Sequence, residues 1–217
     1  NFIVEPDNPA DVSGYSDMTG LRTTSPPVQQ ILINSSDTAQ RILYIITPYI
    51  LDASDNQACE GIKDTIILWL EPELKLSLTP AIDTLCDNTS TDILISSPTG
   101  PTNPIRFKYI INPDFPDSLV YNSVEVTGLF KGETIVEGFS NLTDRAQRLI
   151  ISITPYSVDG NGATRCLGIP VDAIIWVEPT PKVTFSFEID TICTSLKSSL
   201  TLTTITQSLQ DVRFKYS

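Results

Sequence analysis

The sequence predicts an all-β chain of tandem β-sandwich domains with a period of about 107 residues, and three observations carry that prediction. The string Ile46-Thr47-Pro48-Tyr49 returns as Ile153-Thr154-Pro155-Tyr156, 107 residues later. Short runs rich in Ile and Val, or alternating apolar with polar, follow one another with no helical periodicity of useful length. Pro, Gly, Asn and Asp cluster between these runs, as in 98–104 and Asp159-Gly160-Asn161-Gly162, and mark turns.

The repeat extends well beyond one string. The same step carries Cys59 to Cys166, Trp69 to Trp176, Glu71-Pro72 to Glu178-Pro179, Asp83-Thr84 to Asp190-Thr191, Cys86 to Cys193, and Arg106-Phe107-Lys108-Tyr109 to Arg213-Phe214-Lys215-Tyr216. Laid without a gap, 37–109 over 144–216 gives 26 identities in 73 positions. Upstream the match thins to Pro6-Asp7 over Pro113-Asp114, and to Thr19-Gly20-Leu21 over Thr127-Gly128-Leu129 after a one-residue slip. A period of this length is domain-sized, so each repeat needs its own core.

The strands follow in order. Arg148 to Tyr156 and Val171 to Val177 are Ile- and Val-rich, while 183–187 and 199–203 alternate apolar with polar. Phe107 and Tyr109, with Arg106 and Lys108 beside them, describe a strand with one buried and one wet face. Such spacing predicts an antiparallel sandwich of about seven strands per unit. Glu71-Pro72 and Glu178-Pro179 are the expected joints, because proline stops a strand ladder and stiffens a linker. The expected domains are therefore 1–72, lacking its first strands, a complete repeat at 73–179, and the first strands of another at 180–217. The start, Asn1 to Pro6, has no initiator Met, basic segment or apolar signal core, and is expected to be an internal cut in a longer tandem array.

Composition limits the chemistry. A 41% hydrophobic content is too apolar for disorder, and no run approaches the roughly 18 apolar residues of a membrane span. Net charge is −12, which repels phosphate backbones and anionic lipid heads, so neither nucleic acid nor membrane insertion is expected. There is no histidine, which removes Ser-His-Asp and Cys-His catalysis and every imidazole-dependent metal site. The recurring carboxylates, Glu71 with Glu178 and Asp83 with Asp190, are duplicated, which fits scaffolding better than one active site. No enzyme and no cofactor are expected. Calcium at acidic turns (Asp52, Asp55, Asp159, Asn161) is the alternative to solvated turns, and no DxDxDG-type loop is present.

The central repeat carries an aspartate-threonine-apolar-cysteine box (Asp83-Thr84-Leu85-Cys86), an aromatic strand (Phe107-Lys108-Tyr109), a Thr-Pro strand (151–155), then Cys166-Leu167-Gly168 and a strand closing in Glu178-Pro179. This order resembles the PKD-like, immunoglobulin-like repeat of giant Bacteroidetes surface proteins, the gliding-motility adhesin class exported by the type IX secretion system. The resemblance covers the chain. It implies an exported, non-catalytic array at the extracellular cell surface. The partners it implies are neighbouring repeats, the secretion and surface-anchoring machinery, and an extracellular polysaccharide or other surface ligand. The family's glycine two places after the first cysteine is Asn88 and Ser195 here, so a different turn is expected.

In an exported protein, two cysteines per repeat suggest disulfides. Three readings stay open: a bridge between Cys86 and Cys166, pairing between neighbouring domains, and buried free thiols. Trp69 and Trp176 are expected to pack in a core or between domains, with a sugar-stacking platform as the alternative. Thr38, Thr65, Thr84, Ser118 and Thr191 sit in Asp-Ser/Thr contexts resembling the O-glycan acceptor pattern of exported Bacteroidetes proteins. Asn34, Asn88 and Asn141 begin Asn-x-Ser/Thr triplets, read as coincidence.

The function expected is a structural stalk segment of a large adhesin serving surface attachment or gliding. The alternatives are a carbohydrate- or protein-binding sandwich, for which Tyr15 and Tyr121 are the only aromatic hints, and accessory domains of a secreted enzyme.

Overall fold

A computed structural model describes residues 1–19, 28–122, 125–186 and 191–215. Gly20, Leu21, Phe187, Asp190 and Tyr216, singled out above, lie outside the described residues. Strands dominate, and the one helical element among the described residues is a 3-10 turn at Pro116–Ser118.

In chain order the first strands are β1 (Phe2–Pro6), β2 (Val12–Ser13), β3 (Ile33–Asn34), β4 (Gln40–Ile46), β5 (Tyr49–Leu51), β6 (Gln57–Glu60) and β7 (Asp64–Leu70). Next come β8 (Ser77–Thr79), β9 (Ile82–Leu85), β10 (Thr89–Ser90), β11 (Ile93–Ser96), β12 (Ile105–Pro113), β13 (Leu119–Val120) and β14 (Glu125–Leu129). The last are β15 (Thr134–Ile135), β16 (Gly138–Asn141), β17 (Gln147–Val158), β18 (Thr164–Leu167), β19 (Val171–Val177), β20 (Thr184–Phe185) and β21 (Leu202–Thr203). The chain divides into two compact units, one of residues 1–76, 97–106 and 155–169, the other of 77–96, 107–154 and 170–217.

In the first unit an antiparallel sheet runs β1-β4-β7. Phe2, Val4 and Pro6 of β1 alternate inward, as a strand period of two requires. Phe2 and Val4 meet Val12 and Ile42, and Tyr15, Met18, Leu32, Tyr44, Ile46 and Leu70 close around them. Tyr15 is thus a packing residue and not a loop platform.

In the second unit the main sheet runs β14-β12-β17-β19-β9. Gln147 to Val177 and Ile153 to Val171 bound the β17–β19 register, the one that links Gln40 to Leu70 and Ile46 to Asp64 in β4–β7. A second layer, β15-β11-β8, packs β8 against β19. Phe107, Ile93, Ile95, Ile135, Leu149, Ile151, Ile153, Ile175 and Val177 fill the space between them, each fully or almost fully buried. Such side chains contribute roughly 1.5–3 kcal/mol apiece, and this layer is the principal source of the fold's stability.

One pairing departs from the antiparallel expectation, since β9 runs parallel to β19. Its cause lies at Thr79-Pro80-Ala81. β8 pairs with β11, and Pro80 then offers no N–H to continue that ladder, so the chain changes layer and pairs with β19 instead. The strand expected at 171–177 is β19, while those expected at 183–187 and 199–203 shrink to the two-residue β20 and β21.

Candidate functional site

Each of the two Glu-Pro segments, 71–72 and 178–179, is held by a set of polar contacts. At the first, Glu71 accepts from the Thr102 backbone at 2.9 Å, from the Thr102 hydroxyl, and from Asn103 Nδ2 at 3.0 Å. Lys75 Nζ lies 2.7 Å from Asp37 Oδ1. The backbone bridges as well, with Ala39 N donating to Gly100 O at 3.3 Å and Gly100 N to Asp37 O at 2.8 Å. Ser97 Oγ donates to Lys75 O at 2.6 Å, and Pro72 is buried.

The second joint holds matching contacts 107 residues on. Glu178 accepts from the Leu209 backbone at 2.9 and 3.2 Å, and Lys182 Nζ lies 2.6 Å from Asp144 Oδ1. Ala146 N donates to Gln207 O at 2.9 Å, Gln207 N to Asp144 O at 2.6 Å, and Thr204 Oγ1 to Lys182 O at 2.6 Å. Pro179 is buried like Pro72. Here Asp87 is added: burial acts to raise its carboxyl, but Thr180, Asn141, Ser140 and Asn88 donate to it and bring it below the usual carboxylate range.

Asparagine ties each joint to the sheet before it. Asn34 Nδ2 donates to Leu70 O at 3.0 Å and to Thr38 O at 2.8 Å, and Asn141 Nδ2 to Val177 O at 2.9 Å and to Arg145 O at 2.7 Å. Each carbonyl Oδ1 caps the turn that follows, from Ser36 N or Thr143 N. Sequence reasoning treated these as coincidental triplets. The usable signal was that Asn34 and Asn141 stand one period apart.

Magnitudes rank these contacts. Both Lys–Asp pairs are largely exposed, so each contributes little, though Asp37 hydrogen-bonds Lys75 and holds its ammonium above the ordinary range. The hydrogen bonds to strand-end carbonyls and the buried prolines fix the chain path.

Other expected positions are placed as follows. Trp69 is 53% exposed and Trp176 half-buried, so neither fills the core of its unit, one of the two packing positions expected. Each stands across from an arginine, Arg41 or Arg148, and Ile175 takes the inward position beside Trp176. Those arginines hold Asp7 at 3.0 Å and Asp114 at 3.2 Å. All four cysteines are unpaired thiols. Cys166 is half-buried, with its N–H on Ser157 Oγ, and Cys59, Cys86 and Cys193 are exposed. Cys86 falls in the second unit and Cys166 in the first.

Thr38, Thr65, Thr84 and Thr191 are exposed. Ser118 is buried, its hydroxyl donating to Phe115 O at 2.6 Å and Gln147 Oε1 at 3.0 Å, which removes it as a surface acceptor. Tyr121 packs on Phe139 with ring centroids 6.2 Å apart. Asn88 and Ser195 adopt φ of +60° and +71°, the left-handed conformation glycine takes readily, so the glycine-type turn survives both replacements.

The acidic turns are capped by backbone donors. Asn56 and Ser54 N–H groups hold the Asp52 carboxyl below its usual range, and Ala163 and Asn161, with Arg165 alongside, do the same for Asp159. Among the described residues no group of three or more Cys, Asp or Glu side chains is arranged to hold a metal ion. Among the described residues no helix is long and apolar enough to cross a membrane.

Residues 5–73 match the family model of the PKD-like domain. Among solved structures, WR4, a C. elegans member of the MSP family, aligns over 48% of this chain and 97% of its own at 11% identity and a TM-score of 0.30. No curated protein matches. The chain is therefore an all-β protein with a PKD-like segment at residues 5–73.

Proposed function

We propose that this chain is a non-catalytic stalk segment of a large extracellular adhesin, built of tandem β-sandwich repeats about 107 residues apart, at the cell surface. The observation that carries the reading is the joint. Asn34, Asp37, Glu71 and Lys75 make contacts that Asn141, Asp144, Glu178 and Lys182 make again, one sequence period later. A catalytic module has no need to reproduce a linker contact by contact, whereas a spacer depends on doing so. Locked joints convert length into reach, antiparallel ladders resist shear, and the charge of −12 keeps an extended surface solvated. In this reading the segment holds an adhesive tip away from the cell, and in a gliding organism with type IX secretion it transmits force to the substratum. Exposed Thr38, Thr65, Thr84 and Thr191 are its glycan acceptor candidates.

The test is an immunoblot of the native protein, with and without protease treatment of intact cells. The reading expects a very large band that disappears on shaving. A protease-resistant band near 24 kDa contradicts it.

A second reading rests on Phe115, which is 67% exposed beside an open pocket of about 490 Å³ lined also by Asp117 and Arg145. Asn8 occupies the position one period earlier, so this aromatic is peculiar to one repeat. That is the arrangement of a sugar-stacking site. Glycan-array binding abolished by Phe115→Ala supports it, and an array without signal rejects it.

A further inference from the structure

The face of the second unit that carries Phe115 differs from its counterpart one period earlier in a consistent way. Phe115, Val120 and Leu142 are 67%, 52% and 63% exposed, and the positions matching them are the polar Asn8, Ser13 and Ser35. Gly138 and Ser140 stand where the first repeat has Ile31 and Ile33. The second repeat is thus apolar where the first is polar, and small where the first is bulky. Asn8, Ser13 and Ser35, which a full repeat follows, are exposed as well, so the openness of this face does not come from the chain's end.

Two hollows lie on this face, connected by the β13–β16 pair. The open pocket at Phe115 is one. The other, of about 240 Å³, is lined by Asn88, Ser90, Val120, Tyr121, Gly138 and Ser140 with their neighbours. Val120 lies opposite Ser140 in the ladder, and Leu142 N donates to Ser118 O at 2.9 Å beside the first pocket. Ser118 and Tyr121, one from each lining, are about 10 Å apart along the strand at 3.3 Å per residue, farther than one sugar ring reaches.

Charge selects what fits. In the first pocket Asp114 is paired with Arg148 at 3.2 Å, and Asp117 and Arg145 are opposite in sign. The second hollow is lined by no Asp, Glu, Lys or Arg and offers side-chain amides and hydroxyls. On a chain of net charge −12 such a groove repels polyanions and accepts neutral partners. An exposed aromatic ring followed by uncharged hydrogen-bonding groups suits the apolar faces and hydroxyls of sugars.

We propose that the groove from Phe115 to Tyr121 binds a neutral, linear oligosaccharide lying along β13 and β16, with one sugar on Phe115 and a later one in the hollow at Gly138. This rests on the sugar-stacking reading of Phe115, to which it adds a second subsite and the choice of an uncharged chain.

Calorimetric titration of the 217-residue chain tests this, with disaccharide-to-hexasaccharide ladders cut from neutral β-glucan, mannan and galactan, and with polygalacturonate as the acidic comparison. A neutral ladder is expected to bind, tightening by about tenfold or more once the chain is long enough to span both hollows. Phe115→Ala should weaken every length by about tenfold, and Gly138→Ile only the longer ones. A Cβ at Gly138 meets Ser90 Oγ at 3.5 Å, an ordinary contact, so the fold accepts this change. Val120→Glu, at an exposed position, blocks the same stretch by a second route. Far-UV circular dichroism of each variant, unchanged from the parent, excludes loss of fold as the cause. Binding that needs Phe115 but ignores Gly138→Ile and Val120→Glu at every length overturns the proposal and leaves the stacking reading standing. Binding of polygalacturonate alone overturns it in the same way. No binding by any of these sugars overturns both, and none of these outcomes bears on the stalk reading, which the surface blot decides.

Discussion

Asn141 fastens the end of β19 to the turn before β17, donating from one amide to the Val177 carbonyl at 2.9 Å and to the Arg145 carbonyl at 2.7 Å. Val177 is the last residue before Glu178-Pro179, so this side chain sets where the sheet stops and the joint begins. Asn141→Ala leaves these carbonyls short of a donor in a buried setting. A loss of about 1–3 kcal/mol is expected, read from urea denaturation with an unchanged m-value.

Gly168 lies close against the main chain at Leu74. A Cβ there would lie 2.3 Å from Leu74 O and 2.6 Å from Pro155 Cγ, and its N–H donates to Pro155 O at 2.9 Å. Gly168→Ala must displace main chain and is expected to cost about 1–3 kcal/mol. Gly160→Ala, where a Cβ meets nothing within 4 Å, serves as the control and stays within about 0.5 kcal/mol. Thermal unfolding of the two variants side by side makes the comparison.

The Lys–Asp pairs should contribute little. Lys75→Met is expected to lower stability only slightly, and added salt should narrow the difference. A larger loss, measured by denaturation at low and high ionic strength, would mean the ion pair dominates the joint.

Alkaline pH should act through Tyr109. Its burial, its donation to Glu137 Oε1 at 2.5 Å and the Glu137 charge all raise its pKa, and burial raises Tyr44 as well. A tyrosine whose folded pKa is raised contributes stability that is complete below the unfolded value near 10 and is lost as pH rises above it. Stability should therefore fall beyond about pH 10, and Tyr109→Phe should flatten that decline. Absorbance titration at 295 nm should show a phenolic ionisation above the usual tyrosine range that Tyr109→Phe removes.

The left-handed positions give a further contrast. Asn88 at φ +60° tolerates that conformation, and Asn88→Ala is expected to cost about 1 kcal/mol, whereas Ser195→Gly should be neutral or stabilising. Differential scanning calorimetry separates the two signs.

Much of this fold was legible because the periodicity is strong. β19 begins and ends at the residues the Ile/Val run predicts, and Phe107 and Tyr109 point inward as their alternation requires. The tryptophans were misplaced for a definite reason. In β19 both faces are apolar, Ala173, Ile175 and Val177 on one and Ile174 and Trp176 on the other, so a period of two does not say which is inside. The joint was legible as Glu-Pro, but its partners were not, since Asp37 and Lys75 are 38 residues apart and only the fold brings them together. Ser118 looked like an exposed acceptor because its burial depends on Gln147, a contact between segments that local sequence does not encode. Beside the short β20 and β21, Val183, Phe185 and Leu200 are exposed.

The central claim is that both joints are locked in the same way. Native-state amide hydrogen exchange at Ala39, Gly100 and Thr102, and at Ala146, Gln207 and Leu209, tests it most directly, since these N–H groups donate across the two joints. The account predicts strong protection in both sets, with matching positions exchanging at similar rates. Exchange of both sets at the rates of an unstructured peptide would contradict it, leaving beads on loose string rather than a stalk.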